Sequence, residues 1–445
     1  PLYSSAASDV YKRQLLVLCV SLGLRLAFVD TPPLSTSCEP THCTGWELGM
    51  IYDEWYYVNA ARNIIGRSMY FGYEAERTPI IRDSDFVVVT RYHAVMTEEV
   101  YPNATRFTDP NTEHPPLAKL IVAFSALLLG ENAIAYRLPS VLFGTLLLVF
   151  MYYAAKKIAS EQVAFYSASF LSFETLTFVH SRIFMLDIFM VSLMVLGFYL
   201  FLLGQYFAAG AAIGLSTLSK EMGIIGVPLL ITFFILQTMS RNMFRLKDLA
   251  KLAAKLALGF ALPVALLSGA VAIWWKVGPY EQIQNIAALG GIKVDHYYLG
   301  DMRSMSDPNI SPPWFWITNS NAIVYFERVI GANLVVKYVA AMNPMLIYLM
   351  LPAIVYSVWR YWNNRDQVAL FALVWWVWSY VVFYPLAFAG RVMYIFYMLP
   401  TMGAISLMVA SLVCDPAMNS YVRVIYLLCV IVGLVLQFPI NPILS

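Results

Sequence analysis

The stretch RNMFRLKDLAKLAAKLALGFALPVALLSGAVAIWW (241–275) decides both the class of the fold and its orientation. Residues 256–275 run without a single charge. At 1.5 Å per residue, a helix of that length reaches about 30 Å, the thickness of a bilayer's hydrocarbon core. The preceding residues crowd Arg241, Arg245, Lys247, Lys251 and Lys255 around one acid, Asp248. Such a short basic loop belongs on the cytoplasmic side.

Outward from this stretch, apolar segments long enough to span, or nearly so, fall at 14–30, 137–157, 161–178, 183–204, 205–219, 222–240, 256–276, 341–359, 367–389, 391–413 and 421–440. Composition agrees: 60% of the 445 residues are hydrophobic and 13% charged, where a soluble domain carries roughly 25% charged residues. The runs are too long for barrel strands. With 241–255 inside, Lys156–Lys157 and the Arg360–Arg365 turn also fall inside. The segment 31–115, with twelve acids and six arginines, then falls outside, provided Leu117–Leu129 does not span. At 13 residues that segment covers only about 20 Å and reads as a re-entrant or juxtamembrane helix.

The expected architecture is an all-α polytopic membrane protein with about eleven spans, N-terminus inside and C-terminus outside. A catalytic transmembrane module covers 15–276 and includes a large extracytoplasmic loop with juxtamembrane helices (31–131). A second such loop covers 277–340, and a four-helix region 341–445. Residues 1–14, PLYSSAASDVYKRQ, read as a non-native lead and are set aside. Cys38 and Cys43, in the first loop, would form a disulfide or remain two thiols. Cys19, Cys414 and Cys429 sit in or beside spans. The sequons at Asn103 and Asn309 fall outside. No G-x-x-x-x-G-K-[ST] motif supports an ATP-driven pump, and no metal-ligand set stands out.

Polar groups at membrane depth are expensive and mark function by default. Asp53 and Glu54 open GMIYDEWYYVNAARNIIG, whose spacing suits an amphipathic helix on the outer membrane surface. A helix cap would use the same residues. His114, in TEHPP (112–116), is a proton carrier or a phosphate donor by type, or a solvated turn residue. Glu174, Arg182 and Asp187 fall near the outer surface. Arg182 and Asp187 are five positions apart and so are not simple helical partners. Arg137, Lys220 (beside Glu221) and Arg391 are cations on the outer side, against the usual trend. They suit a lipid phosphate, or else snorkel to the headgroups.

In order along the chain, IYDEWYYVNAARNIIG, EHPPLAKL, AYRLPSVLFGTL, SRIFMLD, LSKEMG, SPPWFWIT, AAMNPMLIY and GRVMYIFYMLP resemble the protein O-mannosyltransferase family of the GT-C superfamily. The likeness spans roughly 45–405. It implies a GT-C fold and an inverting glycosyltransferase. Such an enzyme carries mannose from a dolichyl or other polyprenyl phosphate to a Ser or Thr hydroxyl of a protein, at the extracytoplasmic face. Asp53 matches the family's catalytic carboxylate and Glu54 its acidic neighbour. Arg137, Glu174, Arg182, Asp187 and Lys220 match recurrent polar positions. His114, Arg137, Arg182, Asp187, Lys220 and Arg391 are the candidate donor-phosphate residues, with Glu174 and Glu221 in support. The β-trefoil module of eukaryotic members has no room in the roughly 60 residues before the C-terminal spans. The resemblance is therefore to archaeal or bacterial members, in a prokaryotic cell membrane. The expected partners are the lipid-linked donor, an acceptor protein or peptide and membrane lipid; any divalent-metal requirement is open. The rival reading is a GT-C enzyme with a lipid or glycan acceptor, similar to the aminoarabinose transferases. A secondary transporter would show inverted repeats, and none is seen. The Trp-Trp-Asp-Tyr-Gly signature of oligosaccharyltransferases is also missing.

Overall fold

The structure, a computed structural model, describes residues 2–34, 48–67, 72–82, 85–95, 104–290, 309–330 and 334–442. Cys38, Cys43 and Asn103 lie outside them. The chain begins with α1 (Leu2–Leu26) and α2 (Glu54–Ile64), followed by an antiparallel hairpin, β1 (Gly72–Arg82) and β2 (Asp85–Val95). Next come α3 (Leu117–Leu129), α4 (Ala133–Ile158), α5 (Glu161–Ser172), α6 (Thr175–His180), α7 (Leu186–Leu202) and α8 (Tyr206–Ser219). A 3-10 turn, Glu221–Ile225, leads into α9 (Gly226–Ser240), and α10 (Leu246–Trp274) and α11 (Pro279–Gly290) follow. Strands β3 (Ile323–Ile330) and β4 (Leu334–Ala340) precede α12 (Pro344–Asn364), α13 (Gln367–Trp376) and α14 (Phe383–Phe388). The chain closes with a 3-10 turn at Ile395–Met398, α15 (Leu399–Val413), α16 (Ser420–Leu436) and β5 (Ile440–Pro442), which completes a sheet of order β3-β4-β5.

This is a helical integral membrane protein. Among the described residues, six helical stretches are long and apolar enough to cross a bilayer: Ala133–Ile158, Glu221–Ser240, Leu246–Trp274, Pro344–Asn364, Gln367–Phe388 and Ile395–Val413. Five shorter apolar helices accompany them, Leu117–Leu129 with the bounds expected from sequence. Side-chain oxygens start many of these helices by accepting from the orphan amides of the first turn. Asn132, Ser160, Glu174, Asn343, Asp366 and Asn419 all do so. The Glu174 cap divides the expected 161–178 span into α5 and α6. The two small sheets are additions to the helical reading. Strands β1–β4 lie between the spans, where a hydropathy pattern is silent, and β5 begins at the end of the expected 421–440 run.

Helices α8 and α10 pack backbone to backbone. Gly210 and Gly214 stand four apart on α8, a small-xxx-small face that admits a close neighbour. A Cβ at Gly210 would meet the Leu256 carbonyl oxygen at 2.2 Å, and one at Gly259 the Phe207 oxygen at 2.0 Å. Gly259→Ala must therefore push the helices apart, at a cost of about 1–3 kcal/mol. The expected result is a melting temperature a few degrees lower in detergent; an unchanged melt contradicts this packing.

Candidate active site

Charged side chains gather at the ends of the bundle. At one end Arg360 bonds Asp366 and Tyr356, and Tyr356 bonds Asp415, across the turns that follow α12 and α15. At the other end, helix termini converge on a buried centre.

Glu54 and Arg137 anchor that centre. Each is 1% exposed. The Glu54 carboxylate accepts from Arg137 Nε and Nη2, both at 2.9 Å, and from the Ile51 and Phe184 amides, also at 2.9 Å. Arg137 gives its remaining bonds to the carbonyls of Val29, Pro32 and Gly49 at 2.8–3.2 Å. All five guanidinium N–H groups are thus committed to protein acceptors. This corrects the expectation that Arg137 holds a donor phosphate. It also places Glu54 in the scaffold beside the candidate base.

Helix α2 is packed inside protein, with Trp55, Tyr57, Val58, Ala60 and Ala61 buried. That corrects the surface-lying amphipathic helix. Asp53 precedes it with φ −69° and ψ −5°, so its backbone is already helical and its side chain makes no cap bond. The residue is partly exposed, and its carboxyl has no hydrogen bond or ion pair among the described residues. Tyr52, just before it, has φ +52°, a left-handed conformation costing a residue with a Cβ roughly 1–2 kcal/mol. Burial pushes the Asp53 pKa up to about 6, the Lys220 and His114 charges oppose that rise, and Asp187 adds to it.

Both basic side chains beside Asp53 are themselves paired. Lys220 Nζ lies 2.8 and 2.9 Å from the two Asp187 oxygens, above the rings of Phe396 and Tyr397. His114 Nδ1 lies 2.9 Å from Glu221 Oε2. The loop carrying His114 is folded around buried Lys119, whose ammonium pairs with Asp109 and donates to the Asn111 and His114 carbonyls. Arg391 reaches the group indirectly, through its charge on Tyr397.

The structure thus unites Asp53, His114, Asp187, Lys220 and Glu221. Glu174 and Arg182 belong elsewhere. Glu174 caps α6 and also accepts from the Asn343 amide at 3.1 Å, tying the C-terminal helices to α6. Arg182 donates to the Leu24 and Phe28 carbonyls and lies over the Phe178 and Phe438 rings. Arg182 thereby clamps the end of α1, while its Nε is buried without a partner among the described residues. Arg25, missed in the sequence, bonds Ser181 and the Ser172 carbonyl there. Its signal was legible, since it is the one charge in 14–29. Among the described residues no three His, Cys, Asp or Glu side chains are grouped to hold a metal ion.

An apolar cavity of about 640 Å³ adjoins the centre. Phe260, Val264 and Val271 of α10 and Ile283 and Ile286 of α11 line it, and His114 and Asp109 stand among its few polar residues.

Residues 113–267 match the family model described as dolichyl-phosphate-mannose-protein mannosyltransferase, which bears out the resemblance over that stretch. The S. cerevisiae protein O-mannosyltransferase Pmt1-Pmt2 complex, solved with its sugar donor, superposes with a TM-score of 0.58 at 13% identity, over 96% of this chain and 90% of that one. The chain has the GT-C fold. ArnT from Cupriavidus metallidurans, bound to undecaprenyl phosphate, shares this GT-C fold with a TM-score of 0.55 at 15% identity, over 93% of this chain and 61% of its own. The Archaeoglobus fulgidus oligosaccharyltransferase gives 0.53 at 13%, over 95% and 56%. The chain thus spans about three fifths of the length of these last two proteins. No curated protein sequence matches it.

Within this GT-C chain, Arg137→Met would leave the Glu54 carboxylate buried without its partner, which typically costs about 3–5 kcal/mol. The variant should lose most of its folded yield and melt well below the parent. Glu54→Gln, which keeps an acceptor for Arg137, should be milder. A parent-like melt for Arg137→Met would contradict the scaffold role.

Proposed function

We propose that the protein is an inverting glycosyltransferase that moves mannose from a polyprenyl phosphate to a Ser or Thr hydroxyl of a protein, at the extracytoplasmic face of a cell membrane. One observation carries this reading. A carboxylate with no fixed partner, Asp53, shares a charge cluster with His114, and His114 also lines the apolar cavity. The base and a place for a lipid chain therefore meet at one side chain. The match of 113–267 to the mannosyltransferase family supports the same reading.

In the reaction, Asp53 accepts the hydroxyl proton of the acceptor as its oxygen attacks the sugar's C1. The C1–O bond to phosphate breaks on the opposite face, and its electron pair leaves with the lipid phosphate. The transition state resembles an oxocarbenium ion, as in glycoside hydrolysis. Phosphate needs no general acid to depart; it needs cations nearby. Lys220 supplies charge there, with His114 beside it and Arg391 as a further candidate. Asp187 and Glu221 hold Lys220 and His114 in place. Asp53, with its pKa at about 6, is mostly ionised at neutral pH while being more basic than an ordinary carboxylate near 3.9.

Asp53→Asn should abolish transfer from polyprenyl-phosphate-mannose to a Ser/Thr peptide while leaving binding of the lipid donor largely intact. Undiminished transfer removes Asp53 as base. Label appearing in a lipid instead of the peptide would favour the aminoarabinose-transferase-like alternative, with which the ArnT likeness is compatible.

The pH profile offers a separate check. Only the ionised form of Asp53 accepts a proton, so kcat/KM should rise with pH through a midpoint at about 6. A flat rate between pH 5 and 7, by contrast, would not fit this base.

A further inference from the structure

We propose that Tyr325, delivered by β3, is a positioning residue that clamps Tyr52 in its left-handed conformation and thereby aims Asp53 at the acceptor. This rests on the reading of Asp53 as the base. The Tyr325 ring stacks on Tyr52 with centroids 4.3 Å apart and planes at 23°. Phe396 closes edge-on against both, at 6.1 and 6.3 Å, and the same Phe396 ring lies beneath the Lys220 ammonium at 5.2 Å. The Tyr325 hydroxyl lies 3.1 Å from His180 Nε2. Both residues are fully buried, so neither touches substrate.

The clamp has a physical reason. Tyr52 at φ +52° holds a conformation that persists only where its surroundings over-determine it. A flat stack pins the ring, and the ring fixes the direction in which the next residue leaves. His180 in turn pins the phenol: its Nε2 is used on Tyr325, and its Nδ1 is buried without a partner among the described residues. A histidine kept at that cost has one polar contact of use, the Tyr325 hydroxyl. The groups facing Asp53 come from every side: Lys220 after α8, His114 before α3, Asp187 on α7, Tyr57 on α2 and Tyr325 on β3. Tyr325 and Tyr57 are the neutral walls among them.

The test uses the full chain with polyprenyl-phosphate-mannose and a Ser/Thr peptide, comparing the parent with Tyr325→Leu, Tyr325→Phe, His180→Asn and Asp53→Asn. Tyr325→Leu should lower kcat by on the order of tenfold or more, since small misplacements of reacting groups are costly. KM for the lipid donor should stay within about twofold of the parent. The acid midpoint of kcat/KM should fall from about 6 toward the ordinary range near 4, because water reaches the carboxyl. Tyr325→Phe keeps the stack and should keep the midpoint, with a smaller loss of rate. Where Tyr325→Leu fails to fold, His180→Asn frees the phenol and should move rate and midpoint in the same direction. Parent-like behaviour overturns the proposal. So does a rate loss with an unmoved midpoint, which would make Tyr325 a packing residue alone. An active Asp53→Asn would refute the base assignment itself, whereas an inactive Asp53→Asn beside unaffected Tyr325 and His180 variants would refute only the clamp.

Discussion

The Glu54–Arg137 ion pair is the constraint on which the site depends. Two charges this deeply buried are costly, and attraction alone seldom offsets the loss of hydration. Here it is joined by a full complement of hydrogen bonds: two backbone amides complete the carboxylate's shell, and three carbonyls complete the guanidinium's. Those groups come from the segment after α1, the lead into α2, helix α4 and the turn before α7. One ion pair thus fixes four pieces of chain beside the residue that follows Asp53. An apolar pair of equal volume would fill the space but would not specify which loop carbonyl faces which helix.

With the frame fixed, the remaining charges divide by what is left for them to do. Arg182 and Arg25 lock α1 onto α6, and Glu174 locks α6 onto the C-terminal helices. Lys220 and His114 each have one carboxylate partner and stay near Asp53. Arg137, with all five N–H groups bonded, has none left for a phosphate, whereas Lys220 spends two of its three on Asp187. Hydrogen-bond satisfaction therefore separates Arg137 from Lys220 more sharply than charge or depth does.

Much of the fold was legible because the bilayer sets one length scale. Each apolar run read from the sequence contains a helix of the structure, and the 13-residue segment at Leu117–Leu129 kept its bounds. The break at Phe173–Glu174 was not legible: an acid between apolar runs reads the same whether it faces a substrate or caps a helix. At the site, Asp53 and Lys220 could be singled out because charge is scarce in such a chain. Partner choice could not. Arg182 and Asp187 sit five residues apart, yet Asp187 finds Lys220, 33 residues on. Tyr325 carried no signal, since one tyrosine among 29 in an unpatterned loop is marked only by what it stacks on.

The arrangement also explains why the centre lies where helices end. For the proposed reaction, a lipid-phosphate donor is an amphiphile: its chain would need an apolar surface continuous with the membrane, and its phosphate would need cations within reach of water. The proposed acceptor would come from the aqueous side and need a base that is desolvated enough to be basic yet within reach. Within a helix those demands conflict, because the backbone is satisfied and the surface is lipid-facing. At a ring of helix termini, side chains from α2, α3, α7 and α8 can point into a common volume, while α10 and α11 carry the apolar wall away from it. His114, on the loop into α3, is the point where wall and charge meet, and its seat around Lys119 is built within ten residues of chain. The polar and the apolar halves of the proposed site are thus held by different elements and brought into register by one short loop.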